Sequence, residues 1–272
     1  MSLKNQIAVI TGAGRGIGRA IAIKLAKEGA VVVVNSLTSG SAEKTASDIN
    51  EMGLTAMPYP ADVTQRENVL PMIDAVMKRY GAIHILVSNV GFASHLLVED
   101  MPLETWDRMM EVNLTTPFIL AKAVLPHMIK EKFGKIVFVG SVAARRISGL
   151  GSADYTTAKY GTRGFSKHLA FEVARHGINV NMVNPGITLT DMTLATTTEE
   201  ERAELGKEFP LGRLSAPEDI AEAVCFLVSE SSRQITGSSI DVEGGALIMH
   251  GTGYKKNLDR RVAISKERLR GG

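Results

Sequence analysis

The stretch Ile7-Ala-Val-Ile10, followed at once by Thr11-Gly-Ala-Gly-Arg-Gly-Ile-Gly18, decides how the rest of this chain is read. Four apolar residues suit a buried strand. A helical pattern then runs through Glu28 and stops at Gly29, and a second apolar run follows at Val31 to Val34. The unit is strand, Gly-rich turn, helix, strand. Glycines allow a tight turn and let the backbone approach a pyrophosphate. The exposed N–H groups and the helix dipole stabilise the anion. A dinucleotide is therefore expected at Gly12, Arg15, Gly16, Ile17 and Gly18.

Outward from that turn the chain alternates. Helical patterns are read at Ser41 to Met52, Gln65 to Tyr80, Leu103 to Lys132, Asp154 to His176 and Pro217 to Ser229. Strands are read at Thr55 to Tyr59, Ile85 to Val87, Ile136 to Val139, Asn179 to Val183 and Ser239 to Val242. Thr190 to Phe209 reads as a polar, mobile stretch with a short helix. This alternation predicts an α/β chain of the Rossmann type: a single-domain, three-layer sandwich around a seven-stranded parallel sheet. The domain is expected over residues 1–249, with a basic C-terminal extension at 250–272. In such sheets ligands bind beyond the carboxyl ends of the strands. Asp62, Asn89, Ser141 and Pro185-Gly186 all follow strand ends, as the glycine turn does.

Composition narrows the classes. A 272-residue chain that is 44% hydrophobic can bury one sizeable core. A net charge of +2 argues against a dedicated nucleic-acid binder. The single cysteine, Cys225, lies in an apolar helical pattern and reads as a core residue. It excludes a disulfide framework and points to an intracellular, cytoplasmic protein. No apolar leader opens the sequence, and Lys122, Pro126 and His127 interrupt the apolar run from Phe118 to Ile129, so no membrane span is expected. His84, His95, His127, His168 and His176 show no metal-ligand spacing, and no metal is expected.

Tyr155-Thr-Thr-Ala-Lys159 opens the fifth helical pattern. Four-residue spacing puts the tyrosine and the lysine on one face, a turn apart. A free tyrosine has a pKa of about 10, and a nearby ammonium favours the phenolate. The pair can then move a proton at neutral pH. Phe165, Leu169 and Val173 form the apolar stripe of this helix, and Gly177 its C-terminal cap.

Taken together, Thr11-Gly-x-x-x-Gly-x-Gly18, Asn89-x-Gly91, Asn113, Ser141, Tyr155-x-x-x-Lys159 and Pro185-Gly186 with Thr190 resemble the short-chain dehydrogenase/reductase family, over about Leu3 to Gly245. The look is nearest to the 3-oxoacyl thioester reductases, with Leu211-Gly-Arg-Leu and Pro217-Glu-Asp-Ile-Ala also shared. Val90 stands where alanine is usual, and the chain runs more than twenty residues past Gly245. The resemblance implies an NAD(P)-dependent enzyme interconverting a ketone and a secondary alcohol. Tyr155 would be the general acid/base, and Lys159 would tune it and bond the nicotinamide ribose. Ser141 would donate to the substrate oxygen, and Asn113 would hold a water linking Lys159 to solvent. Asn89 and Gly91 would pack beside the cofactor, Asp62 and Val63 would meet the adenine, and Pro185, Gly186, Thr188 and Thr190 would line the nicotinamide. A homotetramer is implied through paired long helices.

Asn35 and Ser36 end the second strand where an acid would repel a 2′-phosphate, and Arg15 can reach one, so NADP(H) is expected over NAD(H), with NAD(H) still open. From His250 onward, seven basic residues face two acidic ones, a charge of +5 that leaves −3 on the rest of the chain. Such a tail can be solvated, bridge subunits, or meet an anionic coenzyme A or carrier-protein thioester. Dehydrogenation of a small cyclic or aliphatic alcohol is the alternative activity. A non-catalytic partner subunit is disfavoured by the presence of Asn113, Ser141, Tyr155 and Lys159 together.

Overall fold

The computed structural model describes residues 2–148, 151–190, 193–194 and 197–249. The basic extension from residue 250 lies outside them. Seven strands form one parallel sheet: β1 (Ile7–Ile10), β2 (Val31–Ser36), β3 (Ala56–Pro60), β4 (Ile85–Ser88), β5 (Gly134–Val139), β6 (Ile178–Pro185) and β7 (Ser239–Val242). Their order across the sheet is β3-β2-β1-β4-β5-β6-β7. The strand order reverses between β1 and β4, where Ala8 pairs with both Val32 and Ile85.

Side-chain alternation builds two cores, one on each face. Ala8, Ile10, Val32, Val34, Ile85 and Val87 point to one side. There they meet α1 (Gly16–Lys27), α2 (Ser39–Glu51) and α8 (Pro217–Val228), which bring Ile21, Leu25, Ile49 and Val224. Val9, Val33, Leu86, Ile136 and Phe138 point to the other side. They meet α3 (Arg66–Tyr80), α5 (Thr116–Glu131) and α6 (Ala153–Val173), with Met72, Val76, Leu120, Val124 and Leu169. Cys225 is buried on the α8 side as a core residue. β3 carries Pro58 and Pro60, which only an edge strand tolerates, and it pairs with β2 alone. In α6, Leu169 and Val173 are buried, while Phe165 is partly buried against Phe118 and Phe138. Gly177 takes the left-handed conformation, φ 73°, after a short 3₁₀ turn.

The pattern from Leu103 to Lys132 reads as one helix, and the structure divides it. Helix α4 (Leu103–Met110) passes through a π turn, Glu111–Thr115, into α5. Pro117 supplies the reason. An α-helix would bond the N–H of residue 117 to the carbonyl of Asn113, but proline has no N–H and its ring crowds that carbonyl. Thr116 Oγ1 bonds Glu111 O at 2.9 Å instead. Thr162 Oγ1, from α6, takes the freed Asn113 O at 2.6 Å. The stretch Leu103–Glu131 is long and apolar enough to cross a membrane. It buries Leu120, Ala121, Val124 and Met128 in this core. The polar stretch before residue 209 contains α7 (Glu199–Lys207), opened by a capping box in which Thr198 and Glu201 satisfy each other's backbone N–H.

Candidate active site

The glycine turn is shaped by close approach. A Cβ on Gly18 would stand 2.2 Å from Gly12 O, and Gly12 and Gly16 have φ of 63° and 53°. Only glycine fits Gly18 and sits without strain at the other two. The first turn of α1 has no side-chain cap and no acidic residue, so its N–H donors face the space above β1 and β4. Asn89 braces the turn from the end of β4, with Nδ2 donating to Thr11 O at 3.1 Å and Gly12 O at 3.2 Å.

A cleft of about 440 Å³ opens at the point where the strand order reverses. Of the expected cofactor residues, Gly12, Arg15, Gly16, Ile17, Gly18, Asn35, Ser36, Asp62, Val63, Asn89, Gly91 and Thr190 line it. Asn35 is buried, and its Nδ2 donates to Tyr59 O and Ala61 O, which ties β2 to the turn after β3. Its Oδ1 is buried without a partner among the described residues. Asp62 Oδ1 accepts from Thr64 N and Thr64 Oγ1, which folds the turn before α3. Pro185, Gly186 and Thr188 do not line this cleft. They pack at the ends of β6 and β7, where a Cβ on Gly186 would stand 2.8 Å from Glu243 Cβ and Thr188 Oγ1 donates to Gly186 O. Leu37, Thr64, Phe92, Arg108 and Val112 also line the cleft and were not legible in the motifs. Arg108 reaches it from α4, donating to Thr64 Oγ1 at 3.1 Å. Nothing in its spacing marks it out.

Beyond the cleft stand Ser141, Tyr155, Lys159 and Asn113. Ser141 follows β5 at the start of a 3₁₀ turn, and its Oγ accepts from Ala143 N at 3.1 Å. That bond leaves its proton free to donate, and the hydroxyl acts on the Tyr155 phenol, drawing its pKa down. Lys159 is 5% exposed, and its Nζ lies 5.6 Å from the centre of the Tyr155 ring. Its Nζ also donates to Val139 O at 3.4 Å. Asn113 donates through Nδ2 to Phe92 O at 3.0 Å, while its Oδ1 is buried with no partner among the described residues. A Cβ placed on Gly91 would stand 2.8 Å from Asn113 Oδ1 and 3.3 Å from Lys159 Nζ. An orphaned acceptor and an under-satisfied cation thus converge on one glycine.

The electrostatics correct one expectation. The tyrosine was expected to be held below its ordinary pKa by the ammonium. Burial instead pushes the phenol up, and only the Ser141 hydroxyl draws it back. The ammonium stands over the ring, 5.6 Å from its centre, and burial depresses Lys159 itself to about 8. Arg145 and Arg146 are exposed, and Arg145 Nε lies 3.4 Å from Asp241 Oδ2 while Arg146 donates to Ala246 O at 2.9 Å. Together they tie the loop after β5 to β7 and to the segment after it.

The residues fit a nicotinamide dinucleotide: three turn positions favour or require glycine, a helix end offers uncapped donors, and two buried amide oxygens lack partners. Comparison with known proteins agrees. A family model described as enoyl-(acyl carrier protein) reductase matches residues 12–246. The 3-oxoacyl-(acyl-carrier-protein) reductase of Vibrio cholerae is 42% identical over 245 residues, 90% of this chain and 98% of that one. The crystal structure of the Brucella melitensis reductase of the same name is similar with a TM-score of 0.84 and 34% identity, covering 90% of this chain and 92% of that one. A 7α-hydroxysteroid dehydrogenase solved with NADH and a 7-oxo bile acid has a TM-score of 0.85 and 32% identity, covering 90% and 95%. Likeness of this extent, over a site whose residues fit the cofactor, means that the chain belongs to the short-chain dehydrogenase/reductase family and is an NAD(P)-dependent oxidoreductase of ketones and secondary alcohols.

Proposed function

We propose that this chain reduces the ketone of a 3-oxoacyl thioester, with Tyr155 as the proton donor. The observation that carries the reading is the convergence of Ser141, Tyr155, Lys159 and Asn113 beside the glycine-lined cleft. When bound, the nicotinamide supplies hydride to the carbonyl carbon. Tyr155 passes its proton to the carbonyl oxygen, so that C=O becomes CH–OH. Ser141 donates to the same oxygen as charge develops there. Lys159 stabilises the tyrosinate left behind, and Asn113 Oδ1 offers the next acceptor on the way to solvent. The raised tyrosine keeps its proton at neutral pH, as an acid for reduction must. Lys159 loses its charge as pH rises through about 8. The kcat/KM for ketone reduction is therefore expected to be flat below pH 8 and to fall above it. A profile flat through pH 9.5 overturns the role given to Lys159.

The substrate reading rests on the similarity to 3-oxoacyl reductases and on the +5 tail. A panel of a 3-oxoacyl thioester, an enoyl thioester, simple ketones and secondary alcohols tests it. The thioester is expected to have the highest kcat/KM, and a higher value for a simple or cyclic ketone overturns the reading. Contacts with an anionic carrier weaken with salt. The thioester KM should rise with ionic strength and on truncation after His250, while that of a simple ketone stays flat. An unchanged thioester KM in the folded, truncated enzyme removes the tail from substrate binding.

NADP(H) is the preferred cofactor in this reading. Arg15 is exposed at the mouth of the cleft, Ser36 lines it, and no acid ends β2. The kcat/KM with NADPH is expected to exceed that with NADH, and Arg15→Ala is expected to narrow the gap. A higher value with NADH overturns the preference. The enzyme acts in the cytoplasm as a homotetramer. Phe118 and Ile129 on α5 and Tyr160 and Phe171 on α6 are exposed and apolar, as a subunit interface requires. Sedimentation as a monomer at micromolar concentration overturns that assembly.

A further inference from the structure

The segment from Asn89 to Ser94 leaves β4 and touches three parts of the site. Asn89 braces the glycine turn, Phe92 O accepts from Asn113, and Ser94 reaches the first turn of α6. The group it meets there is Asp154, a fully buried carboxylate one residue before Tyr155. Its hydrogen-bond partners among the described residues are neutral. Ser94 Oγ donates to Oδ2 at 3.0 Å, the Tyr155 N–H donates to Oδ1 at 2.7 Å, and the Ser152 hydroxyl donates to Oδ1. Ser152 N donates to Ser94 O at 3.1 Å and closes the ring.

This is more than a helix cap. Ser152 holds the N-cap position, yet its hydroxyl makes no capping bond and turns to Asp154 instead. A buried charge is costly unless its hydrogen bonds are satisfied. Here three donors and the positive end of α6 satisfy it. One of those donors belongs to a different loop, which a cap does not need. Past Ser94 that loop carries the exposed apolar residues Leu96, Leu97 and Val98.

We infer that Asp154 is a positioning residue. It ties the loop after β4 to the first turn of the catalytic helix, and so sets where the substrate-side wall stands relative to the Tyr155 hydroxyl. The inference rests on the reading of Tyr155 as proton donor. Its effect is expected on substrate binding, since Asp154 meets the loop at Ser94, past the residues Asn89, Gly91 and Phe92 that line the cofactor cleft.

Ser94→Ala, Ser94→Thr, Asp154→Asn and the double variant Ser94→Ala/Asp154→Asn test it, with KM and kcat for a ketone, the NADPH dissociation constant and the melting temperature measured for each. A lost hydrogen bond to a charged group predicts a KM raised about tenfold in Ser94→Ala and in Asp154→Asn. The kcat and the NADPH affinity should stay within about threefold, since neither group touches the reacting atoms. Ser94→Thr keeps the hydroxyl and should restore most of the KM. The double variant should be no worse than the worse single, because both remove one tie. Wild-type KM in Ser94→Ala overturns the inference, as do purely additive effects in the double variant. Parallel losses of kcat, NADPH affinity and melting temperature would reduce Asp154 to a folding role and overturn it too. If Tyr155→Phe keeps its turnover, it is the catalytic reading that fails.

Discussion

Tyr155→Phe keeps the fold and the cofactor and loses at least about 10²-fold in kcat, the lower end of what a positioned general acid contributes. The substitution removes one oxygen from a mostly buried ring whose packing is otherwise retained. Ser141 still has its Ala143 N–H and its own proton, so the polar wall opposite does not collapse. What is lost is the proton that passes to the carbonyl oxygen in the proposed reaction. The loss is expected in kcat rather than in KM, because the interaction exists only as the oxygen gains charge. The measurement is steady-state turnover, with NADPH binding followed separately. Near-normal turnover in the folded variant removes Tyr155 from the chemistry.

Lys159→Met is expected to move activity and stability in opposite directions. Activity is expected to fall in both kcat and cofactor affinity, since the roles proposed for the ammonium are to stabilise the tyrosinate and to bond the ribose. Stability rises. The folded lysine titrates at about 8, against an ordinary value of 10.5. The unfolded chain therefore binds the extra proton between those values, and stability rises with pH across that window. Below pH 8 the burial penalty is fully present, and each pKa unit is worth 1.36 kcal/mol, so the site costs on the order of 3 kcal/mol at neutral pH. Methionine fills similar space without the charge. Urea unfolding of both proteins at pH 7 and pH 10.5 tests this. The variant should lead at pH 7, and the gap should close by pH 10.5. A variant less stable than wild type at pH 7 would show that the lysine finds compensation the geometry does not contain.

Much of this was legible because local rules and the fold agree. Val31 to Val34 is a strand by composition and by burial, and the glycine spacing after Ile10 leaves few alternatives to a phosphate-binding turn. Spacing joined Tyr155 to Lys159, but Asn113 and Ser141 lie on other elements, and only the family resemblance joined all four in advance. The break before α5 could have been read from Pro117, four residues past Asn113, yet the apolar pattern runs on through it and masks the signal. Arg108, Phe92 and Val112 enter the cleft because α4 and the loop after β4 fold back across it, and no periodicity encodes that. The pKa of Tyr155 was misread for a related reason. Spacing shows that a cation is one turn away, but not that both groups are buried or that the cation lies over the ring. Asp154 escaped because its meaning depends on Ser94, sixty residues earlier.

The uncapped first turn of α1 ties this enzyme's lifetime to its supply of nucleotide. An end that offers its N–H groups to a pyrophosphate forgoes the side-chain cap that would otherwise contribute about 1 kcal/mol. The folded chain recovers more than that from its ligand by mass action, about 2.7 kcal/mol when the ligand stands at 100 times its dissociation constant. In a starved cell, where the nucleotide pool shrinks, the same chain opens more often and meets proteases more often. Its abundance is then set partly by metabolism, through a helix end that no side chain of its own completes.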